Sequence, residues 1–115
     1  MILHIVKEEE WEKAKVEGIY KSQTLESEGF IHCSPIEKVI DVANYNFKGV
    51  KGLVLLCIDE EKVKSEIKWE DLYSEGREYP HIYDELNIDA VNKEYDFPAK
   101  KEGYFELPKE LKYNK

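Results

Sequence analysis

Two cysteines, one arginine and three histidines are all that this chain of 115 residues holds of those residue types. Cys33 and Cys57 stand in no CxxC spacing. A disulfide framework is therefore excluded as the organising device, and reduced thiols in the cytoplasm are expected. Long apolar runs are missing too. None approaches the roughly 20 residues of a membrane-spanning helix, and no basic start with an apolar core marks a signal peptide. A soluble protein with no membrane partner is expected. Arg77 is the sole arginine among 17 basic residues, and the net charge is −8. That balance argues against long nucleic acid as a partner, because the phosphate backbone is repelled overall. A small anionic or nucleotide ligand in one basic pocket is compatible with it. Internal repeats and linkers are absent, so residues 1–115 read as one domain, with 108–115 as a tail. A chain of this length buries about two-thirds of its unfolded surface without staples.

What is present suits an ordered globule, with 42% hydrophobic and 37% charged residues. Ile2 to Val6 reads as a strand with Ile2, His4 and Val6 on one face and Leu3 and Ile5 on the other. Lys7 to Glu17 reads as a helix burying Trp11 and Ala14, stopped by Gly18. Ile19 to Glu28 is polar and irregular. Phe30 to Cys33 is a short strand, and Ser34-Pro35-Ile36-Glu37 then opens a helix as a capping box with proline in the first turn. Ile36, Val39, Ile40 and Ala43 continue it at helical spacing. Leu53 to Ile58 has no polar alternation and predicts a strand buried on both faces. Asp59 caps a short turn, Ile67 to Glu70 is a strand, and Asp71 to Glu78 is a charged loop. Tyr79 to Tyr83 is extended, its Pro80 pointing to a sheet edge or a bend. Ile88 to Phe97, in one piece or two, and Gly103 to Leu107 complete the set. Six or seven short strands and two helices near the front predict an α+β fold, with helices packed on a bent or split sheet.

The chemistry-bearing residues fall in few places. All three histidines lie in apolar extended segments: Leu3-His4-Ile5, Ile31-His32-Cys33 and Pro80-His81-Ile82. Histidine is the side chain best suited to exchange protons near neutral pH, and a buried one is also commonly bonded to a backbone carbonyl. A zinc site is disfavoured, since neighbouring strand residues His32 and Cys33 point to opposite faces and no zinc spacing is present. Arg77 stands four residues before His81. Its planar fork suits phosphate or carboxylate, and Glu75 and Glu78 are alternative ion-pair partners. Tyr79, His81 and Tyr83 line one face of their segment, where the rings either stack a ligand or simply pack. Trp69-Glu70 offers one carboxylate.

Ile2-Leu3-His4-Ile5 with Trp11, then Gly29-Phe30-Ile31-His32-Cys33-Ser34, Trp69-Glu70, and Arg77-Glu78-Tyr79-Pro80-His81-Ile82-Tyr83 ending in Asp89-Ala90-Val91, together resemble the bacterial domain-of-unknown-function family 952. The resemblance runs through nearly the whole chain. It implies a fold similar to the ADP-ribosyltransferases, which bind NAD in the cleft of a split sheet, a fold shared with RNA 2′-phosphotransferases. His4 stands where such enzymes carry a ribose-contacting histidine, and Ala43-Asn44-Tyr45 resembles their helical segment. Their strand tyrosine and late catalytic glutamate have no clear counterpart here. On this resemblance, His32 and His81 are the candidate catalytic residues, with His4, Ser34, Tyr45, Arg77 and Tyr83 as candidate ligand contacts. NAD is a possible substrate. No resident cofactor or metal is implied. A transferase or hydrolase acting at the nicotinamide ribose and a non-catalytic binding module are the two expectations.

Overall fold

The computed structural model describes residues 1–112. In chain order its elements are β1 (Ile2–Lys7), α1 (Glu8–Glu17), β2 (Ile19–Tyr20), α2 (Gln23–Glu28), β3 (Ile31–His32), α3 (Val39–Asn46), β4 (Leu53–Ile58), β5 (Ile67–Glu70), β6 (Tyr79–Ile82), β7 (Leu86–Asn87), β8 (Val91–Asp96) and α4 (Lys109–Lys112), with short 3-10 turns between some of them. The architecture is α+β, with three small antiparallel sheets ordered β1-β4-β8, β2-β7 and β3-β6-β5.

The apolar run Leu53–Ile58 is the middle strand of the first sheet and is buried at all six positions. Its alternation sends Val54, Leu56 and Ile58 into one core cluster with Trp11, Ile31 and Ile82. Leu53, Leu55 and Cys57 enter a second cluster with Val39, Ala43, Phe97 and Phe105. Each such aliphatic side chain contributes about 1.5–3 kcal/mol of burial. The neighbouring β1 divides as its sequence alternates, with Ile2 and Val6 in the first cluster and Leu3 in the second. Cys33 and Cys57 are free thiols, one in each cluster.

α1 buries Trp11 and Ala14 and ends at Gly18, whose left-handed backbone (φ 82°) lets its N–H reach the Ala14 carbonyl. Four expectations are corrected. Gln23–Glu28 is helical, with Ser22 accepting from the Leu25 N–H and Gly29 closing it. Both caps are legible, but only Leu25 packs inward, so the segment has no apolar period. α3 begins at Val39 and not at Pro35, after a turn, and no side chain caps it. Ser34 has instead become strand-like: its N–H and C=O both bond to Leu3 at 2.8 Å, and the residue before a proline is held extended. Gly103–Leu107 is not a strand. Phe105 stacks on Phe97 and its N–H bonds to the Asn44 side chain, so a side chain replaces the ladder.

The fourth correction concerns Pro80. β6 is the centre of its sheet, not an edge. The Cys33 N–H donates to the Pro80 carbonyl, so the missing proline N–H faces the end of the two-residue β3, where the ladder stops. The expected strand Ile88–Phe97 comes in two parts, a 3-10 turn (Ile88–Ala90) and then β8. Within the stretch read as a tail, Leu111 of α4 is buried against the second cluster, while residues 113–115 lie outside the described residues.

Candidate functional site

The sheet β3-β6-β5 has two unlike faces. Ile31, Cys33 and Ile82 point into the first core cluster, with Ile67 packed against it. Alternation therefore turns His32, His81, Lys68 and Glu70 to the other face, with Tyr79 and Tyr83. Tyr83 lies one residue past β6, and its N–H continues the ladder to the Glu66 carbonyl. His32 and His81 are paired across β3 and β6. The Cys33–Pro80 hydrogen bond beside them makes theirs a non-hydrogen-bonded pair, the register in which side chains come closest. Their ring centroids are 5.4 Å apart, edge to face.

Each imidazole has a carboxylate. His81 Nδ1 lies 2.9 Å from Glu70 Oε1, and the Tyr83 hydroxyl donates to that same oxygen at 2.5 Å. The Tyr83 and His81 hydrogen bonds hold Glu70 below its usual pKa, and the Glu70 bond pushes Tyr83 up to about 12. An ionised Glu70 only accepts, so His81 carries its proton on Nδ1 and leaves Nε2 for other work. His32 Nε2 lies 3.3 Å from Glu28 Oε1 at the end of α2. Phe30, turned to this face two residues before His32, covers the group. Its ring centroid is 4.3 Å from His81, 4.8 Å from His32 and 5.3 Å from Tyr83. His81 is left 3% exposed, whereas the His32 side chain remains 38% exposed.

His4 sits behind this face. Its Nδ1 lies 2.5 Å from the His32 carbonyl and its Nε2 2.7 Å from the Tyr20 hydroxyl. A carbonyl can only accept, so Nδ1 is protonated and Nε2 accepts from Tyr20. Burial drives the His4 pKa down to about 4, and burial likewise raises Tyr20 and Cys33. With both nitrogens committed, His4 joins the first sheet to the third. The Leu3–Ser34 bridge does the same beside it.

Of the residues singled out from sequence, the fold gathers His32, His81 and Tyr83 on one face and sets His4 behind them. Ser34 is buried in its bridge to Leu3. Arg77 is exposed in the 71–78 loop, and among the described residues neither Glu75 nor Glu78 forms an ion pair with it. That loop is organised by the Asp71 carboxylate, which accepts from the Glu75 and Gly76 N–H groups. Tyr45 is 90% exposed on α3, away from any of these rings in contact. Phe30, Glu28 and Tyr20 carry no sequence signal for their roles. Glu70 was visible as a lone carboxylate, but its partner depends on strand register. A surface depression of about 550 Å³ is lined by Glu94, Tyr95, Lys100 and Glu106 among others, and by none of the histidines. Among the described residues no three histidine, cysteine or acidic side chains converge as a metal site. No described helix is long and apolar enough to cross a membrane.

The chain is similar to solved structures of protein CC0527 from Caulobacter crescentus. The X-ray structure is 32% identical with a TM-score of 0.87, covering 96% of this chain and 97% of that one. The solution NMR structure is 33% identical with a TM-score of 0.79, covering 92% and 91%. No curated protein matches the chain. The family described as "Protein of unknown function (DUF952)" matches residues 5–94, and the chain belongs to that family.

Proposed function

We propose that this protein performs general acid–base chemistry on a small anionic ligand of the nucleotide class, in the cytoplasm, as a transferase or hydrolase. The observation that carries the reading is the Glu70–His81 pair with Tyr83 on the same oxygen. A carboxylate that holds the Nδ1 proton orients the ring and stabilises its charged form, leaving Nε2 as the proton acceptor. His32, more exposed and held by Glu28, is the second proton carrier. Arg77, which forms no ion pair among the described residues, is the anion contact to test. The three small sheets with helices beside them support an ADP-ribosyltransferase-like reading of the fold. NAD is accordingly the first substrate to test. In that reaction the C1′–N bond breaks with positive charge developing on the ribose, and the ionised Glu70 supplies the opposing charge.

A second reading, a binding module that never turns over, is favoured by one observation: His81 is 3% exposed beneath Phe30. Thermal melts with NAD, ADP-ribose and nucleoside phosphates decide whether a ligand exists. At 100 times its dissociation constant a ligand adds about 2.7 kcal/mol, an upward shift of about ten degrees in a chain of this size. Product analysis with the best ligand then separates the readings. Turnover lost in His81→Gln with binding retained supports catalysis, and binding without turnover in the native chain sinks it.

A further inference from the structure

β8 is the open edge of the first sheet, because β4 lies on one side of it and the far strand, β1, is joined onward to Ser34. The ladder fixes which main-chain groups of β8 point outward. Both main-chain bonds of Leu3 go to Ser34, so Leu3 and Cys57 form a non-hydrogen-bonded pair, and Val54 and Leu56 turn their main chain toward β1. Leu53 and Leu55 therefore bond to β8, as the Phe97 N–H does to the Leu53 carbonyl at 3.0 Å. Glu94 and Asp96, set opposite Leu56 and Val54, present their N–H and C=O groups to the outside. Among the described residues no main-chain group beyond the sheet bonds to either. The open run is short. A register shift at Cys57/Ile58 ends it on one side, and Pro98, with no N–H to offer, ends it on the other.

An exposed edge pairs with a second copy of itself unless something opposes it. Here the opposition is electrostatic. With Glu94 and Asp96 as the outward residues, every two-fold antiparallel pairing through them sets carboxylate across from carboxylate. A strand with basic residues at those two positions meets attraction instead. Asp96 is exposed and forms no ion pair among the described residues. Glu94 already accepts from Trp11 Nε1 at 2.5 Å and from Lys15 Nζ at 3.3 Å, so Asp96 is the stronger anchor. Between them Tyr95 takes the other face, partly buried on the second core cluster. It opens on the depression of about 550 Å³, where Pro98, Leu107 and Pro108 give an apolar wall. The rim has both signs, Lys109 beside Glu110, which favours an uncharged side chain within. We propose that the β8 edge binds an extended segment of a partner protein by strand addition, with basic, apolar and basic side chains opposite Asp96, Tyr95 and Glu94. The apolar one enters the depression. Nothing in this depends on the chemistry of the histidine face.

Calorimetric titration of the full chain at low salt with the peptide Thr-Lys-Leu-Lys-Thr, blocked at both ends, tests this. The same peptide with glutamate for both lysines should bind at least about tenfold more weakly. Methylating the backbone nitrogens of the two lysines keeps their charge but removes two ladder bonds, and should also cost about tenfold. Methylating the leucine nitrogen, which faces away from β8 in this register, should leave affinity unchanged. Asp96→Lys should weaken binding of the lysine peptide with the melting temperature unchanged. Equal affinity for the two methylated peptides, equal affinity for the glutamate peptide, or no binding of any peptide overturns the proposal. Glu94 and Asp96 then serve only to keep the edge unpaired. A dimer of the native chain in sedimentation, with the Glu94 and Asp96 amides protected from hydrogen exchange, overturns it as well, since a second copy then holds the edge.

Discussion

His32 and His81 face each other across β3 and β6 with ring centroids 5.4 Å apart and planes at 77°. Each is tied to a different carboxylate from a different element, Glu28 of α2 and Glu70 of β5. Two similar rings are thereby given unlike surroundings. His81 is sealed under Phe30, and His32 opens to solvent.

Glu70→Gln should release Tyr83. The Glu70 hydrogen bond is the leading cause of its raised pKa of about 12, so the phenol should titrate nearer 10 in the variant. A pH titration of the tyrosine ring signals by NMR reads this directly. An unmoved Tyr83 would mean that the shared oxygen is not its partner in solution.

His4 should make the fold acid-sensitive. Its pKa falls from 6.5 in the unfolded chain to about 4 when buried, so the unfolded state binds the extra proton first. Stability from this residue is complete above pH 6.5 and declines as pH falls toward 4, by about 3 kcal/mol in all. Urea unfolding from pH 7 to 4 should show that loss. A His4→Gln chain, less stable throughout, should show a shallower slope over the same interval.

Phe30→Ala should cost about 3–5 kcal/mol, as for other buried aromatics, because its ring is 6% exposed and touches three others. It should also open His81. Diethylpyrocarbonate, followed by peptide mass mapping, should modify His81 much faster in the variant than in the native chain. Equal rates would show that something other than Phe30 shields the imidazole.

Two glycine substitutions should differ for a steric reason. Gly29 (φ 89°) has open space where a Cβ would go, so Gly29→Ala should cost only the left-handed strain, about 1–2 kcal/mol. Gly103 (φ 86°) carries the same strain, and its Cβ would meet the Gly49 backbone N at 3.0 Å and Cα at 3.1 Å. Gly103→Ala should therefore be the more destabilising of the two in denaturant melts.

Some of this was legible along the chain. Leu53–Ile58 announces a doubly buried strand because an unbroken apolar run has no face to offer water, and Gly18 announces the end of α1 because only glycine takes that turn cheaply. The alternation of Ile2, His4 and Val6 placed His4 on a core face. Those signals are local, set by the chain's own period and caps. Which strand lies beside which was decided by tertiary structure. Pro80 looked like a residue of a sheet edge or a bend until the fold set its missing N–H at the end of the two-residue β3, where the ladder stops. Glu70 became the partner of His81 only through the β5–β6 register, where a slip of one residue would send it to the opposite face. Register between segments that are far apart in sequence follows from joint burial of Ile31, Ile67 and Ile82. No window of sequence contains that event.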